Sequence, residues 1–170
     1  MPNRADGSHI KIEKTKGERV WNAFGYLFFL GSIILLIAVW GSLPEKVPAH
    51  YNALGEVDRW GSKWELFILP GIGILILLFM QFLEKHPEIH NHPKRLNESN
   101  AEQFYLLSRK LINRLKNACL IIFSLILMES VSIALDWGSG FGGWFLPVAL
   151  LGTVMPVSYT HLTLPTTPYV

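Results

Sequence analysis

The side chains able to do chemistry in this sequence fall into three groups. His50, Asn52 and Asp58 share one polar stretch. An imidazole titrating near neutrality, beside an acid and an amide, suits pH sensing or the binding of a cation or peptide. The plain alternative is a turn whose polar side chains satisfy its own backbone. His86, His90 and His92 form the second group. Zinc is held by histidines at such short spacing, but Pro87 and Pro93 interrupt any helix that would set His86 and His90 on one face. A loop in contact with solvent or headgroups, with no metal, is the expectation. The third group is Glu129 alone, inside a long apolar run. A carboxyl at membrane depth is costly, which makes it a functional candidate; bonding to Ser124, Ser130 or Ser132 is the structural alternative. The candidate ligand-binding residues are therefore His50, Asn52, Asp58 and Glu129. No Gly-x-Ser-x-Gly, His-Glu-x-x-His or phosphate loop occurs. No catalytic residue and no cofactor is expected, and the chain reads as non-enzymatic.

The elements that must position these groups are membrane spans. Half of the 170 residues are hydrophobic and 16% are charged, against about 25% charged in ordinary globular chains. The charge is gathered into polar blocks between apolar runs. Those runs cover 24–40, 64–83 and 118–137, each reaching the roughly 17 residues a bilayer core demands. A fourth, 144–156, falls short. The first run is too long for a signal peptide and lacks a small-residue cleavage site. The single cysteine, Cys119, lies in an apolar run and excludes an internal disulfide. The expected fold is all-α and integral to the membrane, with three complete transmembrane helices, a truncated fourth and an amphipathic cytoplasmic helix.

Orientation follows from the cations. Five precede the first run (Arg4, Lys11, Lys14, Lys16, Arg19), three lie between runs one and two (Lys46, Arg59, Lys63) and seven between runs two and three (Lys85, Lys94, Arg95, Arg109, Lys110, Arg114, Lys116). The N-terminus and second loop belong in the cytoplasm of a plasma-membrane protein, and the first loop faces outward. A net charge of +2 with no basic stripe excludes a nucleic-acid role.

The outward loop, 43–63, is densely patterned. Pro44 and Pro48 keep it extended after the first span, and Asn52 to Gly55 reads as a turn with Gly55 free to take positive φ. Ser62-Lys63-Trp64-Glu65 fits a capping box that starts the second span, with Trp60 and Trp64 at interface depth. Pro70-Gly-Ile-Gly73 is expected to kink that span and free carbonyls. Leu43-Pro44, Pro48, His50, Asn52, Gly55, Asp58 and Ser62-Lys63 resemble, at fixed spacing, the signature of the bacterial and archaeal membrane family called domain of unknown function 1648. The resemblance covers roughly residues 22–83. It implies a membrane protein with immunity or signalling roles, since the same domain opens an immunity protein against a cannibalism toxin.

Across the second loop, Ser99-Asn-Ala-Glu102 reads as another capping box. It opens a helix to about Asn117, in which Phe104, Leu107, Leu111 and Leu115 recur at helical spacing beside Arg109, Lys110, Arg114 and Lys116. That pattern suits an anionic inner leaflet or a partner helix. The last segment, 157–170, resembles the translation of a sequencing-library adapter, so native sequence is expected to stop near Met155–Val157. The organisation is then an N-terminal segment (1–20), a two-span unit (21–83), a cytoplasmic loop and helix (84–117), the third and incomplete fourth spans (118–156), and the adapter. The function expected is immunity, sensing or stress response through the outer loop, with the bilayer and a peptide or protein as partners. The alternative is a small permease using Glu129 and the Pro70–Gly73 break.

Overall fold

A computed structural model describes residues 13–91, 99–145, 147–149 and 151–152. Helix α1 spans Lys16–Val39 and ends in a single 3-10 turn, Trp40–Ser42. Strands β1 (Lys46–Tyr51) and β2 (Val57–Ser62) form an antiparallel hairpin. A 3-10 stretch, Lys63–Phe67, leads into α2 (Ile68–Lys85). After the short turn Pro87–Ile89, the 34-residue α3 runs from Ala101 to Ala134. All three helices are long and apolar enough to cross a membrane. Residues 145, 147–149 and 151–152 are again helical. The rest of the expected fourth span, the adapter-like tail, His92 and the cations Arg4, Lys11, Lys94 and Arg95 lie outside the described residues.

Local chemistry starts each helix. Thr15 caps α1 by accepting the Glu18 amide while Glu18 Oε2 accepts the Thr15 amide at 2.7 Å. This Thr-x-x-Glu pattern has the same local signature as the box at Ser62. The box at Ser62 is present as expected, with the Ser62 amide donating to Glu65 at 3.1 Å. It opens the 3-10 stretch, and α2 proper begins at Ile68. Pro70 therefore falls in the first turn of α2, where its missing N–H costs no helical bond. Residues 68–85 form one helix with no interruption at Pro70–Gly73. Helix α3 starts one residue later than the Ser99–Glu102 pattern implies, since its first bond runs from the Phe104 amide to the Asn100 carbonyl. That places the cap at Asn100. At its other end α3 closes with Asp136 at φ 56° and a bond from the Trp137 amide to the Ser132 carbonyl, 2.9 Å, the geometry of a left-handed helix stop.

Helix α3 packs along both α1 and α2, which touch each other little. The molecule is inverted relative to a water-soluble protein. Leu27, Leu30, Ile34 and Ile37 of α1 and Leu75, Leu78, Phe79 and Phe82 of α2 face outward, while Glu18, Asn22, Glu84, Arg109, Asn113, Lys116 and Asn117 are buried. Lipid solvates the first set, and the second must be satisfied within the protein. A small core of Leu36, Leu43, Val47, Leu66, Leu127 and Val131 fixes the hairpin base to the helices.

The expected amphipathic helix runs directly into the third span, as one rod about 51 Å long. Its cationic face is corrected: Arg109 and Lys116 turn inward instead of toward lipid, because acids on the neighbouring helices supply their counter-charges. Arg109 meets Glu18 at 2.9 Å and Lys116 meets Glu84 at 2.6 Å.

Candidate functional site

The hairpin is irregular where its polar residues sit. Lys46 to Pro48 pair with Ser62 to Trp60, but Ala49 and then Asp58 are each squeezed out of register, a pair of bulges that re-aims neighbouring side chains. His50 Nδ1 thereby reaches Asp58 Oδ1 across the hairpin at 2.6 Å, and both stay exposed. Asn52 builds the turn: its Oδ1 accepts from the Leu54 and Glu56 amides at 2.9 and 3.0 Å, and its Nδ2 donates to Glu56. Gly55 takes φ 76° as expected. The Asn52 side chain is thus engaged in building the turn.

Between this hairpin, the start of α2 and the far end of α3 lies a cavity of about 340 Å³, whose lining includes His50, Asn52 and Glu129. Three of the four candidates therefore meet in one place, and the fourth, Asp58, holds His50. Pro48, Gly55 and Glu65 contribute to the wall as well, while Pro44, Ser62 and Lys63 stand apart. Lys63 instead pairs with Glu45 at 2.9 Å and lies over the Trp40 ring.

Two residues that the sequence did not single out complete the cavity. The Tyr51 hydroxyl meets Ser130 Oγ at 2.8 Å, tying the hairpin to α3 beside Glu129. Burial pushes the Tyr51 phenol up to about 12. Arg59 donates to Glu65 at 2.8 Å and to the Ala49 carbonyl at 3.3 Å. Glu129 accepts the Phe141 amide through Oε1 at 2.6 Å, which anchors the loop after α3. None of Ser124, Ser130 or Ser132 bonds to it: Ser124 caps the Leu120 carbonyl and Ser130 takes Tyr51. Glu129 lies five residues before the end of α3, roughly 7–8 Å along the axis, so it belongs to the hairpin end and not to mid-span.

A second polar assembly, unread in the sequence, lies at the opposite end. Arg109 binds Glu18; Asn113 donates to Asn22 at 2.9 Å and Glu84 at 3.1 Å; Asn117 donates to Asn22 at 3.0 Å; Lys14 reaches Glu84 at 2.8 Å. Its signal was present as helical spacing, with Glu18 and Asn22 on α1 and Arg109, Asn113 and Lys116 on α3. The histidines have partners of their own: His86 contacts Glu88 at 3.0 Å, while His90 reaches Ser108 and the Leu83 carbonyl.

Residues 27–74 match the family model described as a domain of unknown function (DUF1648). That segment covers most of α1, the hairpin and the first turns of α2, and leaves Glu129 outside. An uncharacterised protein of Archaeoglobus fulgidus is 38% identical over 65 residues, which is 34% of this chain and 36% of the archaeal one. The alignment thus spans about a third of that relative's length. No solved structure matches the chain.

Proposed function

We propose that this chain is a non-enzymatic protein of the plasma membrane, with its N-terminus in the cytoplasm, that receives a ligand at its outer face in a sensing, stress-response or immunity role. One observation carries the reading: a single cavity gathers His50 and Asn52 from the family-matched hairpin and Glu129 from α3. Sites of this kind are concave, mostly apolar and furnished with a few convergent polar groups. The orientation rests on the cation distribution, which is read during insertion and so is unaffected by the later burial of Arg109 and Lys116. Lys85 and Lys110 are then placed to meet anionic lipid at the inner leaflet. A small permease using Glu129 is the second reading, without the helix break at Pro70 that it invoked.

The test is survival of a sensitive bacterial host exposed to membrane-active peptide toxins. Wild-type chain is expected to protect, and Leu69→Trp, which fills the cavity from α2, to abolish protection at equal membrane abundance. Protection untouched by that substitution rejects the cavity as the ligand site, and no protection by the wild type rejects the immunity role.

A further inference from the structure

We propose that the cavity selects a molecule with an apolar body ending in a cationic hydrogen-bond donor such as a primary ammonium, with Glu129 as its counter-ion. This rests on the reading of the cavity as the ligand site and adds the ligand's chemistry.

The argument is a charge inventory of the walls. Arg59 and Glu65 neutralise each other at 2.8 Å. His50 is matched by Asp58 at 2.6 Å. Tyr51 is a phenol held protonated by burial. Glu129 remains: only Oε1 is engaged, by a backbone amide, and Oε2 has no hydrogen bond among the described residues. Its side chain has no ion-pair partner there either, in contrast to the acids of the opposite polar assembly. Glu129 is buried, and a buried carboxylate is costly without a donor, so a ligand bringing a cation supplies the missing half of the pair. An anionic ligand would meet an unmatched like charge.

The remaining walls set the body of that ligand. Leu66, Leu69, Ile126, Leu127 and Phe145 are apolar, and the 340 Å³ volume lies at the small end of ligand cavities, roughly 300–1,000 Å³. An ammonium carries three donors. Glu129 would take one, and the Tyr51 and Ser130 hydroxyl oxygens line the same cavity or bond within it as further acceptors. A free lipophilic amine and a Lys-bearing apolar peptide share this chemistry.

The experiment uses the full chain in phosphatidylcholine nanodiscs, with empty nanodiscs subtracted, titrated with three probes of one body: n-octylammonium, n-octanol and octanoate. Octylammonium is expected to bind about tenfold or more tighter than octanol, as one hydrogen bond to a charged group allows, and octanoate weakest. Glu129→Gln, which keeps an acceptor for Phe141, is expected to erase the amine preference. Octanoate binding as well as octylammonium, or a preference surviving in E129Q, overturns the proposal. The wild-type ranking decides alone should E129Q not insert. Octanol binding that Leu69→Trp abolishes, without an amine preference, keeps the cavity reading and rejects the ligand class; no L69W-sensitive binding rejects both. A Lys-bearing apolar decapeptide added as competitor separates the sources: displacement of octylammonium assigns a peptide, and its absence a small amine.

Discussion

Lys116 Nζ lies 2.6 Å from Glu84 Oε1 with both side chains shut away from solvent, so α2 and α3 are joined by a buried ion pair. The surroundings of its two members differ. Glu84 also holds Lys14 and Asn113, whereas among the described residues Lys116 otherwise reaches Tyr26 and Gln81, at 3.4 and 3.5 Å.

That asymmetry orders two substitutions. Glu84→Gln strips Lys116 of its acid partner and is expected to cost about 3–5 kcal/mol, the range for breaking a buried pair. Lys116→Met leaves Glu84 with Lys14 and Asn113 and should cost less. Thermal unfolding of both variants in one detergent checks the order; K116M proving the more damaging would contradict it.

Gly25 and Gly31 lie on the same helix and should respond in opposite ways. A Cβ at Gly25 would collide with Asn117, which is fully buried and tied to Asn22 and Asn113. Gly25→Ala should therefore cost about 1–3 kcal/mol, as overpacking does. Nothing lies near Gly31, so Gly31→Ala should be neutral or stabilise by up to about 1 kcal/mol through helix propensity. Melting temperatures of the pair report the contrast.

Tyr51 predicts an alkaline effect. Its folded pKa is raised from 10.0 to about 12, chiefly by burial, so the folded state favours the protonated phenol. The contribution is complete below pH 10 and is lost as pH rises from 10 through 12. Wild type should be more stable than Tyr51→Phe at pH 8, by the roughly 1 kcal/mol of a typical hydrogen bond, and should forfeit that margin across the window. Paired unfolding curves at pH 8, 10 and 12 measure it, and a margin constant with pH would refute the assignment.

The hairpin separates structural from functional polarity. His50–Asp58 is exposed on both sides, and such pairs contribute about 0–1 kcal/mol, so Asp58→Asn should leave stability nearly unchanged. Asn52 secures two backbone amides, and Asn52→Ala should cost about 1–2 kcal/mol. Protease cleavage rates within the hairpin will show whether the two differ in that order.

The elements most legible in the sequence are those whose cause is local. The Ser62–Glu65 box and the Asn52–Gly55 turn are recovered because capping and turn bonds join residues a few positions apart. Where a boundary moved, a neighbouring choice decided it. Asn100 displaced Ser99 as the cap of α3, and the 3-10 stretch before Ile68 moved Pro70 into a harmless first turn. The polar seam was visible only as spacing along each helix. Arg109 and Lys116 read equally well as contacts to lipid until Glu18 and Glu84 were placed opposite them.

The sequence alone determined that three segments are apolar and long enough to cross a bilayer, because hydration is a property each segment carries by itself. It also determined the turn at Asn52–Gly55, but the two strands that flank it and their bulges were no part of the expected all-α fold. Only the tertiary structure decided that Tyr51 would meet Ser130, that His50 and Glu129 would share a cavity, and that the cations of α3 would face inward. Those outcomes depend on which helix faces turn toward one another, and that choice is made by pairing charges and shapes far apart in the chain.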